Sequence, residues 1–268
     1  MTGAVILAAG PGTRLGDLGT RMAKTMMPVA GRPFLEHLAG RLLGAGLYPV
    51  VVAVNHHADT ITGHFTRHPL ATGLRFVHTD QQGTGPDLIQ CLDFLHTDDF
   101  IVWNGDTIAD IDLPEFLDHA DTAAGRAVIA LTRRPNVPNH NAWFVSTDGT
   151  VLATLEAEPQ PAPPAEYAWR GSSTGILHLT RHLLRPFRNG ENYLGRVVPD
   201  LYSGLLPILA GRGHLTAHDN GYRYFLDFGT RARLAQLDHG AVAGWNPHRH
   251  GHPPFRLPVA QPRSLRRP

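Results

Sequence analysis

Residue types suited to phosphate chemistry are concentrated near the amino terminus, between Ala4 and Met27. The chain contains 24 lysine and arginine residues, and Lys24 is the single lysine among them. Lysine is a compact, flexible point charge that can reach one oxygen in a tight space, whereas arginine is a wide planar fork. The lone lysine therefore indicates a place where arginine would not fit, the alternative being chance survival of a surface lysine.

The first glycine-rich segment has the composition of a phosphate-binding loop. An apolar run, Ala4–Ala8, predicts a buried parallel strand that leads directly into the glycine-rich residues 10–14. Glycines let backbone N–H groups approach a phosphate closely, and Thr13 and Arg14 add hydroxyl and cationic donors. The spacing fits neither a P-loop, which needs GK[ST], nor a dinucleotide fingerprint, which needs glycine where Leu15 stands. We therefore predict a third kind of phosphate loop.

A carboxylate is expected to face the same crevice. The apolar run Phe100–Trp103 predicts a strand, and Asp106 follows its carboxyl end. Ligands of open α/β sheets bind outside the carboxyl ends of the strands, so Asp106 should lie opposite the glycine-rich loop. A turn or a helix cap is the alternative role for such an aspartate, and we assign Asp110 and Asp112 to it.

The elements that must position these residues alternate between strands and helices in the first half of the chain. The predicted strands there are Ala4–Ala8, Val50–Val54, Leu74–Thr79, Phe100–Trp103 and Ala127–Thr132, and the predicted helices are Phe34–Leu43, Asn55–Thr66, Asp87–Leu95 and Pro114–Ala124. This alternation predicts a parallel sheet covered by helices on both faces.

The pattern changes after Arg133. The runs Ala142–Ser146 and Val151–Glu156 predict a hairpin, and the proline-rich stretch Glu158–Ala165 predicts a flexible loop. The remaining predicted elements are the strands Gly175–Leu179 and His214–Ala217 and the helices Arg181–Phe187, Tyr193–Tyr202 and Ala232–Leu237, the last of them capped by Thr230.

The run LAAGPGTRLGDLGTRMAKTMMPVAGRPFLEH, at residues 7–37, carries a specific resemblance. It is similar to the N-terminal signature of the sugar-1-phosphate nucleotidyltransferases, roughly LAAGxGTRL, a spacer and PKxMxPVxGRPxLEH. Ala23 replaces the usual proline. The matching positions are Gly10, Gly12, Thr13, Arg14, Lys24, Pro28, Gly31, Pro33 and Glu36.

The resemblance implies an α/β fold: a Rossmann-like three-layer sandwich with a mixed, mainly parallel sheet and a small β-rich acceptor-binding insertion. It implies one nucleotidyltransferase domain over residues 1–240, with a nucleotide-binding half at 1–132 and an acceptor-binding half at 133–240. We expect residues 241–268 to form a disordered basic tail, since Asn246–Pro268 has no apolar periodicity.

The resemblance also assigns site residues. Arg14, Lys24 and Asp106 are the expected catalytic residues, and Asp106 and Asp227 the expected Mg²⁺ ligands, Asp227 lying in a segment (YFLDFGT) similar to the family's WxDIGTP. The expected nucleotide-binding residues are Leu7, Ala8, Ala9, Gly10, Gly12, Thr13, Arg14, Lys24, Gln82, Gly83, Thr84, Asn104 and Gly105. Two aspartates at strand ends in the family's order support the reaction type.

The acceptor side departs from the family pattern. The family has EKP after the hairpin, with its lysine on the sugar phosphate, whereas this chain has Glu156 followed by alanine. We hypothesise that Arg170 supplies the missing charge, with a solvated arginine as the alternative. The expected acceptor-binding residues are Glu156, Arg170, Ser173, Thr174 and Gly175.

The implied reaction transfers a nucleoside monophosphate from an NTP to a sugar 1-phosphate, releasing pyrophosphate. The Gly-Thr-Gly form of residues 83–85 and the short single domain resemble the heptose 1-phosphate guanylyltransferase branch most, which favours GTP over dTTP. Two alternatives stay open: a cyclitol or other non-sugar phosphate as acceptor, and an inactive nucleotide-sugar-binding regulatory domain.

The bulk composition is that of a globular protein. The chain has 268 residues, 42% of them hydrophobic, a net charge of +1 and one cysteine. Cys91 permits no internal disulfide, so we expect a reducing cytoplasm and a core position. No signal peptide or apolar run of ~20 residues is visible, and the near-neutral charge gives no support for nucleic acid. We therefore expect no membrane or nucleic-acid partner, and a homo-oligomer is left open.

Overall fold

The computed structural model describes residues 2–80, 82–134, 142–157, 160–188 and 200–245. The helices are α1 (Asp17–Arg21), α2 (Phe34–Gly44), α3 (Ala58–Phe65), α4 (Thr84–Cys91), α5 (Leu113–Thr122), α6 (Arg181–Arg188), α7 (Leu206–Gly211) and α8 (Arg231–Leu234). The strands are β1 (Gly3–Leu7), β2 (Pro28–Val29), β3 (Arg32–Pro33), β4 (Val50–Val54), β5 (Leu74–His78), β6 (Asp99–Asn104), β7 (Thr107–Ala109), β8 (Ala127–Thr132), β9 (Ala142–Val145), β10 (Val151–Thr154), β11 (Trp169–Thr180), β12 (Leu215–Asp219) and β13 (Phe225–Asp227).

Nine strands form one mixed sheet. Strands β5, β4, β1 and β6 are neighbours in that order and run parallel. Strand β11 joins β6 antiparallel and also pairs with β8 and β9, while β12 and β10 extend the sheet from β8 and β9. This arrangement confirms the predicted α/β fold, and strands from both halves of the chain belong to the same sheet.

Each face of the sheet has its own hydrophobic core. Alternate side chains of a strand point to opposite faces, and Val5 and Ile6, both fully buried, accordingly belong to separate core clusters. The same division separates Val51 from Val52. Strands covered on both faces need apolar residues at every position, which explains why β1 and β4 have unbroken apolar runs.

Strand β11 is longer than predicted. The sequence predicted a strand over Gly175–Leu179, whereas β11 begins at Trp169 because Trp169–Ser172 pair with β9. Such pairing with a distant segment leaves no local pattern in the sequence. The predicted helix Tyr193–Tyr202 falls mostly outside the described residues, and a π-helical segment, Leu201–Leu205, leads into α7.

Two predicted helix caps and one predicted core residue are present in the structure. Asp112 accepts a hydrogen bond from the Glu115 N–H and so caps α5, and Thr230 caps α8 in the same way. Both caps confirm the prediction, as does Cys91, which is fully buried. No helix among the described residues is long and apolar enough to cross a bilayer.

The folded part of the chain extends beyond the predicted boundary at residue 240. A 3₁₀ helix spans His239–Trp245, and Trp245 is 8% exposed. Its ring lies 5.9 Å from the rings of Phe34 and Trp103, and the Arg41 guanidinium lies 4.3 Å from it. The predicted tail is therefore wrong for residues 241–245, and residues 246–268 lie outside the described part.

Replacing Trp245 should destabilise the protein measurably. We expect Trp245→Ala to lower the free energy of unfolding by about 3 kcal/mol, because a buried indole and its ring contacts are lost. Urea denaturation followed by circular dichroism measures this change. Tyr222→Ala is the control, since Tyr222 is 71% exposed. Equal midpoints for the two variants would show that residues 239–245 add nothing to stability.

Candidate functional site

A cleft of about 410 Å³ opens at the carboxyl ends of β1 and β6. It brings together the glycine-rich loop, the lone lysine, the second glycine segment and both predicted metal aspartates. The lining residues are Leu7, Ala8, Ala9, Gly10, Pro11, Arg14, Lys24, Thr25, Gly83, Thr84, Asp87, Asn104, Gly105, Asp106, Asp200, Tyr202 and Asp227. Gly12, Thr13 and Gln82 border this set without lining the cleft, and Thr13 and Gln82 are exposed.

The glycine-rich loop turns sharply and packs on helix α1. Gly12 has φ of +68°, a left-handed conformation that favours glycine. A Cβ on Gly19 would lie 2.2 Å from the Gly12 carbonyl oxygen, so only glycine allows α1 to approach the loop this closely. The sequence reasoning missed Gly19. Its signal, a glycine inside a short helical segment, is weak without the structure.

Lys24 lies between this loop and Asp106. Its Nζ is 3.0 Å from Asp106 Oδ2, and the two side chains are 15% and 20% exposed. The lysine stem runs close to the loop backbone, since a Cβ on Gly12 would lie 3.3 Å from Lys24 Cγ. This narrow path supports the interpretation that the position requires the slim side chain and single ammonium group of lysine.

Two local features place Asp106 and Asp227 side by side. The Gly105 N–H donates to the Leu7 carbonyl at 2.9 Å, which holds the turn after β6 against the end of β1. Strands β7 and β13 pair antiparallel with Asp227 opposite Thr107, and the Phe228 N–H donates to the Asp106 carbonyl at 3.0 Å. The short β7–β13 ladder is thus the element that joins the two aspartates.

The two carboxylates face one small space. A Cβ on Gly229 would lie 2.8 Å from Asp227 Oδ1, 3.1 Å from Asp106 Oδ2 and 3.2 Å from Arg14 Nη2. Burial raises the pKa of the Asp227 carboxyl, and the neighbouring Asp106 raises it further, against the Gly229 N–H and nearby arginines, which lower it. The site is therefore one where an additional positive charge would be favourable.

Helix α8 supplies two arginines that the sequence reasoning did not identify. Arg233 Nη1 donates to Asp227 Oδ2 at 2.6 Å. Arg231 Nε donates to the Leu15 carbonyl at 2.8 Å and so connects α8 to the glycine-rich loop. Both lie just after the segment identified for Asp227, but only the helical turn after Thr230 aims Arg233 back at that carboxylate.

A hydrogen-bonded chain connects the second glycine segment to the opposite wall of the cleft. The Thr84 hydroxyl donates to Asp200 Oδ2 at 2.7 Å, and Asp200 Oδ1 accepts from the Tyr202 N–H at 2.8 Å. The Tyr202 hydroxyl donates to Asn104 Oδ1 at 3.1 Å. Asp200 and Tyr202 were missed because no motif spacing marks them. Across the described residues, the buried Thr25 hydroxyl in this cleft has no hydrogen-bond partner.

The predicted acceptor-binding residues divide into two groups. Glu156 lies beside Asp200 and Tyr202, and burial raises its pKa to about 7, with the Trp143 indole N–H opposing and the Asp200 charge adding to the rise. Gly175 packs against the Asn104 amide, because a Cβ on Gly175 would lie 2.8 Å from Asn104 Nδ2. These two residues adjoin the cleft.

The other three predicted acceptor residues do not line the cleft. Thr174 is fully buried and donates its hydroxyl to the Ala130 carbonyl at 2.9 Å, so it supports β8 rather than facing a ligand. The Ser173 hydroxyl accepts from the Gly175 N–H at 3.1 Å. Arg170 is exposed on β11 opposite Phe144. Thr174 as an acceptor ligand is contradicted by its burial, and the role of Arg170 stays a prediction.

A larger cavity, of about 630 Å³, opens at the opposite edge of the sheet. Asp99, the first residue of β6, and Thr180, the last of β11, mark its position. Its lining mixes acidic and basic side chains and contains no glycine-rich loop. We therefore assign the functional site to the smaller cleft because of the residue types that line it, although its volume is smaller.

Known proteins resemble this chain in sequence and in fold. Residues 3–156 match the family model described as Nucleotidyl transferase. The bifunctional protein GlmU of Methanococcus maripaludis is 30% identical over 154 residues, which are 57% of this chain and 35% of that protein. The mannose-1-phosphate guanylyltransferase of Mycobacterium tuberculosis is 29% identical over 161 residues, 59% of this chain and 45% of that protein. The matches thus span less than half of either relative.

A solved structure with a similar fold is HddC from Yersinia pseudotuberculosis. Its TM-score is 0.68 at 21% identity, over 91% of this chain and 100% of that one. HddC complexed with GMP-PN matches with a TM-score of 0.67 at 22% identity, over 88% of this chain and 97% of that one. The family model covers more than half of the chain, which confirms the resemblance found in the signature: the chain belongs to the nucleotidyl transferase family.

Proposed function

We propose that this chain transfers a nucleoside monophosphate from a nucleoside triphosphate to a sugar 1-phosphate, with release of pyrophosphate. The observation that carries the proposal is the convergence of the glycine-rich loop, Lys24, Asp106 and Asp227 on one cleft. Phosphoryl and nucleotidyl transfer depend mainly on positioning and on stabilising negative charge, and this cleft is built from cations, backbone N–H groups and carboxylates.

The reaction needs no side-chain base. A phosphate oxygen of the acceptor attacks the α-phosphorus, a new P–O bond forms, and the bond to the bridging oxygen breaks with its electron pair on pyrophosphate. The barrier is the mutual repulsion of anions and the charge that grows on the leaving group. In this proposal the glycine-rich loop and Arg14 hold the β- and γ-phosphates, and Lys24 stabilises charge at the α-phosphate.

We propose Mg²⁺ as the cofactor, held by Asp106 and Asp227. The fit rests on the two carboxylate oxygens that face one small space and on the raised pKa of Asp227, which is caused by burial and then by the neighbouring Asp106. Mg²⁺ prefers oxygen ligands and needs only one or two carboxylates when phosphate oxygens complete its coordination. When bound, the ion would neutralise phosphate charge, and Lys24 would stay next to Asp106.

GTP is the favoured donor, ahead of dTTP. The Gly-Thr-Gly segment and the guanine names among the similar proteins, a mannose-1-phosphate guanylyltransferase and an HddC complex with GMP-PN, support this choice. Thr84 is held by Asp200, so the segment proposed to contact the base is rigidly placed. The cytoplasm, which supplies NTPs and sugar phosphates, is the proposed location.

The acceptor could instead be a cyclitol phosphate or another non-sugar phosphate. Two observations favour keeping this second candidate. The family's second lysine is absent after Glu156, and the Thr174 hydroxyl is bonded to Ala130 instead of facing the cleft. The donor half of the site is therefore assigned more firmly than the acceptor half.

One assay tests the proposed reaction. We expect pyrophosphate release from one common NTP in the presence of a hexose, heptose or cyclitol 1-phosphate, and Lys24→Ala and Asp106→Asn should each lower turnover by about 100- to 1000-fold. The control is Arg21→Ala, which removes an exposed cation three residues before Lys24 and should keep wild-type turnover. Absence of pyrophosphate with every pair, together with tight nucleotide-sugar binding, would favour the regulatory-domain alternative.

Arg233 should compete with the metal for Asp227. Because Arg233 Nη1 occupies Asp227 Oδ2 at 2.6 Å, we expect Arg233→Ala to tighten Mn²⁺ binding without nucleotide by about threefold to fivefold, the scale of a partly exposed ion pair. Electron paramagnetic resonance of free Mn²⁺ measures this affinity. Arg231→Ala, on the same helix but bonded to Leu15, is the matched control. Unchanged or weaker binding in Arg233→Ala would contradict the role of Arg233 as a counter-ion.

Glu156 should make stability depend on pH. The pKa of Glu156 is about 7 in the folded protein against an ordinary 4.5. Between pH 4.5 and 7 the folded protein therefore keeps a proton that the unfolded chain releases. Stability from this group is therefore lost as the pH rises from 4.5 through 7. We expect Glu156→Gln to melt about 3–6 °C above the wild type at pH 8 and to match it at pH 4.5.

Thermal melts of Glu156→Gln across this pH range, beside the exposed-site control Glu166→Gln, measure the effect. A constant difference between Glu156→Gln and the wild type at all pH values would contradict the raised pKa.

A further inference from the structure

We propose that Glu36, His64 and His68 form a binding site for one Zn²⁺ ion, separate from the cleft. Among the described residues, these three side chains each offer a ligand atom, and the three atoms lie within 4.8 Å of one another. None of the three lines the cleft. The proposal therefore stands apart from the proposed reaction and its metal.

The distances fit a four-coordinate zinc site. Glu36 Oε2 lies 3.3 Å from His64 Nε2 and 3.6 Å from His68 Nε2. Zinc–nitrogen and zinc–oxygen bonds of about 2.0–2.2 Å at tetrahedral angles separate neighbouring ligand atoms by roughly 3.3–3.6 Å. A Zn²⁺ ion could therefore enter the centre of this triangle with small side-chain movements.

Two helices bring the ligands together. Glu36 is in the first turn of α2, His64 is in the last turn of α3, and His68 follows α3 at the start of a 3₁₀ turn. The two imidazole rings stack with their centroids 5.7 Å apart and their planes inclined by 27°. The Glu36, His64 and His68 side chains are 10%, 31% and 21% exposed, so water can supply a fourth ligand.

Arg32 orients the carboxylate. Its Nη1 donates to Glu36 Oε1 at 2.9 Å, which leaves Oε2 directed at the two histidines. A hydrogen bond to the second oxygen of a ligating carboxylate is the usual support for a metal ligand. Two imidazoles and one carboxylate suit zinc, whereas the all-oxygen pair Asp106 and Asp227 suits magnesium.

Zinc binding requires one defined local change. The Leu70 N–H donates to His68 Nδ1 at 3.2 Å, so a neutral His68 carries its proton on Nε2, towards Glu36. A Zn²⁺ ion on Nε2 places that proton on Nδ1, where it would face the Leu70 N–H. The Leu70 N–H must then turn to solvent, and its amide resonance reports the change.

The ion would connect α3 to the start of α2. Because binding only the folded state stabilises that state, Zn²⁺ at about 100 times its dissociation constant should raise the melting temperature by roughly 5 °C or more. The effect requires no substrate, and pyrophosphate release by the zinc-free protein, assayed with Mg²⁺, should not change when His64 and His68 are replaced.

The test is zinc titration of the chelator-stripped, full-length chain by calorimetry. We expect one tight equivalent that Glu36→Gln weakens by about tenfold or more and His64→Ala/His68→Ala removes. The control is His248→Ala/His250→Ala/His252→Ala, since the HRHGH run could bind zinc by itself. Co²⁺ in place of Zn²⁺ should give strong visible absorption, which reports a four-coordinate site.

Any of three titration results would overturn the proposal. The first is that the wild type binds no zinc tightly. The second is that tight zinc binding survives in His64→Ala/His68→Ala, and the third is that it is lost in the HRHGH variant. Glu36→Gln preserves side-chain size and decides the question if the double variant does not fold. An unshifted Leu70 amide at saturating zinc would likewise exclude coordination through His68 Nε2.

Discussion

Two acidic side chains held together in a partly buried cleft are the constraint on which the rest of this site depends. The pairing of β7 with β13 places Asp106 and Asp227 side by side, and burial raises the pKa of Asp227. Like charges in such surroundings repel strongly, so the fold must supply cations. Lys24 approaches Asp106 from the side of the cleft that holds the glycine-rich loop, and Arg233 approaches Asp227 from α8. The positive charges therefore come from opposite ends of the chain.

The same arrangement suits a reaction between anions. A triphosphate and a phosphate acceptor repel each other, and an enzyme that joins them must hold positive charge where the two meet. The cations here are already bonded to carboxylates, which keeps them ordered before any ligand binds. The close approach of Gly19 to Gly12 and the Thr84–Asp200 hydrogen bond further hold the glycine-rich loop and residues 83–85 in place.

The wall that we propose for the acceptor is organised differently. Glu156, Asp200 and Tyr202 form an acidic wall, and the pKa of the Tyr202 hydroxyl is raised because it is buried among these acidic groups. A wall with buried negative charge and no lysine is suited to donating and accepting hydrogen bonds with hydroxyl groups more than to binding phosphate. This contrast explains why the reaction type is easier to assign than the acceptor.

The sequence by itself determined the fold class and the order of the elements in the first half, and it indicated the reaction type that we propose. Unbroken apolar runs, glycine positions and the single lysine are local patterns; β1 and β4 form where these patterns predicted, and Lys24 lies in the same cleft as Asp106. The tertiary structure alone decided the length of β11, the inward position of Trp245, the burial of Thr174 and the contacts of Arg233 and Asp200. Each of these depends on partners far away in the chain. Strand pairing and side-chain direction at such contacts are set by packing and hydrogen bonding between distant segments, which a local pattern does not record.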